Sequence, residues 1–302
     1  MPQMWKAGPR RRLTVLLTSV VLAVVGVAIG AAVVFGGVYN VAATTQHTQQ
    51  VYSLLEVAMR QSVRLRARDI EPPPLDDPAL IARGLGCFVE KCVQCHGAPG
   101  VAQSSIGQSM QPVPGPLVDA HQRWRPRELY WLTRHGIKMS GMPAWEFHLD
   151  DRDLWAVVAF VGTLPTLSPA AFASQAREAG VAGPWQPGPS TAPPSDSTRC
   201  SRATAVADSP VDVRRGERAM YQYACNACHT IPGISGSTPA VGPPLAGMAQ
   251  RPKIAGVLAN TPDNMVRWLR DPKRIDPQTA MPAMNVSERD ARDMAAFLAT
   301  LD

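Results

Sequence analysis

The sequence predicts an all-α chain in which an N-terminal transmembrane helix and a helical stalk precede two small domains of one design. Three observations carry this. Leu13 to Val38 holds no charged residue and is almost wholly apolar, and about 20 such residues cross a bilayer core as a helix. Two segments built around Cys-x-x-Cys-His repeat one another on either side of a Pro- and Ser-rich stretch. Each segment ends in an N-capping signature followed by an apolar stripe at helical spacing.

The first 12 residues read as a cytoplasmic basic N-terminus, because Lys6, Arg10, Arg11 and Arg12 precede the apolar run and no cation follows it closely. Residues 13–38 are then the anchor, with everything beyond them outside. A cleaved signal peptide, with a small-residue site near Ala42 and Ala43, is the alternative, although such apolar regions usually run to about 7–15 residues. Both readings export the bulk of the chain.

Residues 39–76 are expected to form the stalk. Val51, Leu54, Leu55, Ala58, Met59 and Val63 recur at spacings of three and four, the pattern of an amphipathic helix continuing the membrane helix. Glu71-Pro72-Pro73-Pro74 ends it, since proline cannot donate a backbone hydrogen bond and disfavours helix in the residue before it.

The first domain is read as residues 77–173, a linker as 174–209, where Pro, Ser, Gly, Ala and Thr leave no periodicity, and the second domain as 210–302. In each domain a Gly-containing helix leads into Cys-x-x-Cys-His, a Gly-Pro-rich loop, a Met-Pro pair and a closing helix. Leu149-Asp150-Asp151-Arg152-Asp153 and Val286-Ser287-Glu288-Arg289-Asp290 both pair a capping side chain with an acid three residues on. Val157, Phe160, Val161 and Leu164 then match Met294, Phe297, Leu298 and Leu301 as core-facing stripes.

The net charge of +6 does not point to nucleic acid, because much of the excess lies in the N-terminal cations. From Asp77 to Pro165 there are eight basic and eight acidic residues, and from Val211 to the end eleven and nine. Neither domain has the basic footprint that nucleic-acid binding requires.

Cys92-Val93-Gln94-Cys95-His96 and Cys225-Asn226-Ala227-Cys228-His229 carry the signature of covalent haem attachment. Two thiols one helical turn apart reach the two vinyl groups, and the next His reaches the iron from the same side. Two covalently bound haem c groups are therefore expected. Disulfides or a shared zinc fit poorly, since Cys-x-x-Cys pairs sharing zinc usually lie about 15–20 residues apart, and here a domain and a linker intervene.

A closed iron site needs a second axial ligand, and Met suits a high-potential carrier. Met142 and Met281, each followed by proline, are the candidates, with Met139 and Met284 as alternatives. The second domain has no histidine besides His229, which excludes a bis-His site built from its own residues, whereas the first also offers His121, His135 and His148. Cys87 lies before the first haem motif and reads as a buried free thiol; a disulfide with Cys200 is the alternative.

These motifs make both halves resemble class I cytochromes c, over most of Ala79 to Leu164 and of Val213 to Leu301. The second half, with Cys228-His229-Thr230, Val241-Gly242-Pro243-Pro244-Leu245-Ala246-Gly247 and Asp271-Pro272-Lys273, is similar to the mitochondrial-type pattern and to haem domains associated with respiratory oxidases. The resemblance implies two domains whose first and last helices cross beside a haem, with negligible strand. It also implies that a proline carbonyl accepts from the ligand histidine's other nitrogen, for which Pro243 and Pro116 are the candidates, and that Arg251 binds a haem propionate.

The function these readings imply is electron transfer in a periplasmic respiratory chain, by a single-pass protein of a bacterial inner membrane with no catalytic residues of its own. Its expected partners are the lipid bilayer and redox proteins such as a terminal oxidase or a periplasmic dehydrogenase. A fixed haem-c subunit of a haem-copper oxidase or another respiratory complex is the alternative. A dihaem peroxidase is disfavoured because it needs an open iron site.

Overall fold

The computed structural model describes residues 9–181, 200, 210–236 and 241–302. Lys6 and most of the predicted linker lie outside the described residues. The chain divides into two compact units, Met1–Arg202 and Ala203–Asp302.

The first unit begins with α1 (Pro9–Phe35), whose stretch Arg10–Phe35 has a mean hydropathy of 2.6 and is long and apolar enough to cross a membrane. Its end is set by glycine. Gly37 takes φ +64°, a geometry that costs glycine nothing, and lets its N–H reach Val34 O while that of Val38 reaches Val33 O, the paired bonds of a glycine-terminated helix.

Helix α2 (Gln49–Ala67) is separate from α1, so the expected continuous stalk is corrected: residues 36–48 are non-helical. Nor does α2 stand clear of the domain. Val63 and Ala67 are buried, the Arg60 guanidinium lies 5.6 Å from the Trp124 ring centre, and Arg127 Nη1 donates to Arg68 O at 3.0 Å.

The domain proper opens at α3 (Pro78–Lys91), with Pro78 in the first turn and the Asp77 carboxylate accepting from Ala79 N. Short helices follow, α4 (Val93–His96), α5 (Ser105–Gln108) and α6 (Ala120–Arg123), then α7 (Pro126–His135). The closing helix α8 (Asp151–Thr163) is capped by Asp150 accepting from Asp153 N, and its stripe Val157, Phe160, Val161 and Leu164 is buried as the spacing predicts.

A further helix, α9 (Pro169–Glu178), runs five residues into the stretch read as linker. Its Phe172 is fully buried and meets Phe88 edge-on at 6.5 Å and Phe160 at 6.4 Å. Cys200, further along the chain, is bonded to Cys87 of α3. That corrects the free-thiol expectation. Cys87 is buried as expected, but a neighbour from 113 residues away occupies the space beside it.

The second unit contains α10 (Val213–Gln222), capped by Asp212, a two-residue hairpin β1 (Lys253–Ile254) and β2 (Leu258–Ala259), then α11 (Pro262–Arg270), α12 (Pro272–Ile275) and α13 (Glu288–Leu298). Ser287 caps α13 by accepting from Asp290 N, and Met294, Phe297, Leu298 and Leu301 are buried.

In each unit the helix that leads into the cysteine motif crosses the closing helix at a glycine, α3 over α8 and α10 over α13. A Cβ on Gly84 would lie 1.9 Å from Ala156 O, and one on Gly216 2.0 Å from Asp293 O, so only glycine permits the approach. Beside each glycine an arginine meets a buried aspartate, Arg83 with Asp153 and Arg215 with Asp293 at 2.8 Å. Gly216→Ala is therefore expected to push α10 off α13 and destabilise the second unit by about 1–3 kcal/mol, the usual cost of overpacking. Thermal unfolding reads this, and an unshifted transition would mean that the crossing is slack.

Candidate functional site

The first site is assembled where α3 ends. Cys92 closes α3 and opens α4, so Cys95 and His96 follow within one turn. Gly97 then leaves with φ +67°, and a Cβ there would stand 2.7 Å from Val101 O, which explains a glycine directly after the histidine. Gly107 of α5 packs on the Gln94 and Cys95 carbonyls at 3.0 Å from its ideal Cβ position. The motif is thus gripped from outside.

The His96 ring is held by Nδ1, which donates to Gly115 O at 2.8 Å. Sequence reasoning placed that acceptor at Pro116, and the structure moves it one residue back. The reason lies in the neighbouring carbonyls: Pro114 O accepts from Gln103 Nε2 and Pro116 O from Arg123 Nη2, leaving the one between them for the histidine. Burial pulls the His96 pKa below its ordinary value, against the opposing effect of the Gly115 hydrogen bond. Neutral imidazole, with Nε2 free, is the form that binds a metal.

In the second site a 3-10 turn, Cys225–Ala227, presents the motif, and His229 Nδ1 donates to Pro243 O at 2.8 Å. Gly242 lies flat against this ring. A Cβ on it would be 2.5 Å from His229 Cε1 and 2.7 Å from Nδ1, so a side chain here would dislodge the histidine. Arg251 Nη2 donates to Pro244 O at 2.5 Å and Ala246 O at 2.9 Å, fastening the loop that carries the acceptor.

Burial raises the Cys92 thiol to about 12, helped by repulsion from Cys95 and opposed by Lys91. Burial likewise raises Cys225 to about 11, opposed by a backbone hydrogen bond and helped by Cys228. Both are neutral thiols at neutral pH, Cys92 buried and Cys225 half-buried, each followed within its motif by a histidine with one free nitrogen. That donor set suits a group carrying two thiol acceptors and a metal with an open axial position.

The Met-Pro loops share a device that sequence reasoning missed. Met142 N donates to Ser140 Oγ at 3.2 Å, and Met281 N donates to Thr279 Oγ1 at 3.2 Å. The signal was legible as a hydroxyl residue two places before each Met-Pro. In the first loop Ile137 N also reaches Met142 O at 3.3 Å, and a Cβ on Gly136 would be 2.6 Å from that oxygen. In the second, Lys273 Nζ donates to Thr279 O at 3.2 Å. Met142 and Met281 are half-buried, and Met281 packs on the core of its unit. By contrast Met139 is 94% exposed and Met284 41%.

Two helical domains, each with crossed terminal helices and a Cys-x-x-Cys-His turn whose histidine is oriented by a backbone carbonyl, define a c-type cytochrome. Residues 79–161 match the family described as cytochrome c oxidase, cbb3-type, subunit III, and residues 213–302 match the family described as cytochrome c. The chain thus belongs to the cytochromes c as a two-domain member related to oxidase haem domains. It is similar to cytochrome c oxidase subunit 2 of Alkalihalophilus pseudofirmus, 32% identical over 29% of this chain and 25% of that protein. It is also similar to cytochrome c oxidase subunit 2 of Bacillus sp. strain PS3, 34% identical over 25% of this chain and 21% of that one. The chain therefore spans about a quarter or less of the curated relatives it matches. No solved structure matches it. Cytochrome c domains carry covalently bound haem c and act as electron-transfer haem proteins.

Proposed function

We propose that the chain is a membrane-anchored dihaem c-type cytochrome that passes electrons on the outer face of a bacterial-type inner membrane. The observation that carries this is the duplicated pair of anchored elements, a carbonyl-oriented histidine and a hydroxyl-anchored Met-Pro loop in each unit. Cys92 and Cys95 would hold one haem covalently, and His96 and Met142 would bind its iron. Cys225, Cys228, His229 and Met281 would hold the other. Bound haem supplies one-electron chemistry, its iron cycling between two valence states.

The protein's own contribution is to hold those ligands still. The Gly115 and Pro243 carbonyls fix the ring planes and strengthen the histidines as donors. Ser140 and Thr279 fix the methionine backbones. With a histidine and a methionine of each unit holding the iron, no substrate would have to reach the metal, which separates this reading from a peroxidase. Arg251 lies in the loop beside the second site and is the side chain proposed to neutralise a propionate.

Export is supported by the apolar N-terminal helix, by the four cations that precede its apolar run from Leu13, and by a disulfide, which persists in oxidising compartments. A fixed place in an oxidase is the second reading, favoured by the cbb3-type subunit III match and the two oxidase subunit 2 relatives. Mild-detergent extraction separates the two. A carrier comes away from oxidase activity and restores electron flow when added back, whereas a subunit stays with the oxidase in fixed ratio through every column.

A further inference from the structure

The spacing Val51, Leu54, Leu55, Ala58 and Leu65 places five apolar residues along one side of α2, and the structure leaves Leu54, Leu55, Ala58 and Leu65 exposed, with Val51 half-buried at the N-terminal end. Leu54 is 69% exposed, Leu55 52% and Leu65 59%, while Val63 and Ala67 on the other side are buried against the domain. An uncovered apolar stripe on a helix this firmly seated marks a binding surface.

The charges say what it binds. Arg64 and Arg68 lie along one margin of the stripe and Arg66 along the other, all exposed. Arg66 turns back to Ser62 at 2.8 Å and Arg68 pairs with Asp69 at 3.0 Å. The acid within α2, Glu56, is on the domain-facing side and is bonded to Arg60. Arg127 of α7, tied to Arg68 O, extends the cationic margin. An apolar stripe bordered by arginines is the signature of a helix lying in a membrane surface, its leucines among the acyl chains and its guanidiniums at the phosphates. A second copy of the chain would bring like charges together along both margins.

Position favours the same occupant. The tether between α1 and α2, residues 36–48, contains no Asp, Glu, Lys or Arg and exposes Val38, Tyr39 and Val41. Tyrosine at 39, and again at 52 near the start of α2, suits the headgroup layer. We infer that α2 is an interfacial helix that docks the first haem domain onto the outer surface of the bilayer. The inference rests on the reading of α1 as a membrane anchor. It fixes the first domain at the surface, where a partner embedded in the membrane can meet it.

The test uses the full haem-loaded chain in vesicles of phosphatidylethanolamine and phosphatidylglycerol. With Cys92, Cys95, Cys225 and Cys228 attached to haem and Cys87 bonded to Cys200, an introduced thiol is the one that takes a fluorescent label. Labels at Leu54→Cys and Leu55→Cys are expected to be quenched by nitroxides in the acyl chains and shielded from an aqueous quencher. A label at Ala170→Cys, exposed on α9, should show the reverse. Val20→Cys in α1 is the internal control. If Val20 is quenched from the acyl chains while Leu54 and Leu55 answer only to the aqueous quencher, the docking is overturned and the anchor stands. If Leu54 and Leu55 escape both quenchers, protein covers the stripe and the docking is again overturned. If Val20 itself is not quenched from the acyl chains, the anchor reading fails and takes the docking with it.

Discussion

Met281→Ala is expected to abolish the weak Met-to-iron band of the second haem and lower its reduction potential by on the order of 100 mV, a fraction of the roughly 0.8 V that axial ligands span. Met284→Ala should leave both unchanged. The contrast follows from position: Met281 packs on its unit's core and its backbone is held by Thr279, whereas Met284 is 41% exposed. The first unit should behave alike, Met142→Ala removing the band and Met139→Ala, at a 94% exposed site with φ +59°, leaving it intact. Redox titration of each variant reads the effect. Loss of the band in Met284→Ala or Met139→Ala would transfer the ligand role to the altered residue.

Cys200→Ser is expected to destabilise the first unit by about 4–5 kcal/mol, the chain-entropy value for a cross-link closing a loop on the order of 100 residues. The Cys87–Cys200 bond spans 113 residues and encloses the first haem motif, its Met-Pro loop and the closing helix. The second unit has no share in the bond and should melt as before. Calorimetry with and without reductant separates the two transitions. Coincident transitions unaffected by the substitution would show that the packing of Phe172 on Phe88 and Phe160 already holds the segment.

The closing helices were legible because caps and stripes are local. Asp150 and Ser287 bind backbone groups three residues away, and the positions from Val157 to Leu164 and from Met294 to Leu301 repeat within a few turns. What failed was information carried by contacts between distant segments. Gly115 rather than Pro116 meets His96 because Gln103 and Arg123 take the carbonyls on either side, and nothing in Gly-Pro itself records this. Cys200 looked like linker because composition there is Pro- and Ser-rich, while its partner Cys87 lies 113 residues away. The apolar set of α2 was visible, but its division into a domain-facing side and an uncovered one appears only once α7 is packed against it.

The glycines at the crossings lie between these extremes. Gly84 and Gly216 each follow an arginine, Arg83 and Arg215, in the opening helix of their unit, a repeat that could have been read. Their purpose could not, since the carbonyls they admit, of Ala156 and Asp293, lie about 70 or more residues further on. The paired aspartates even sit on different turns: Asp153 is the third residue of α8, while Asp293 comes one turn later along α13, where Asp290 instead holds Tyr223 Oη at 2.8 Å. The two units thus reach one architecture with different polar contacts.

The most direct test of a dihaem electron carrier is a redox-titrated visible spectrum of the purified chain, with covalent haem quantified per polypeptide and the long-wavelength Met-to-iron band followed in the oxidised form. Two haems per chain, both low-spin at neutral pH and both contributing that band, are predicted. One haem per chain, or a high-spin component at neutral pH, would contradict closed His/Met sites in both units and return the open-site, peroxidase-like chemistry to consideration.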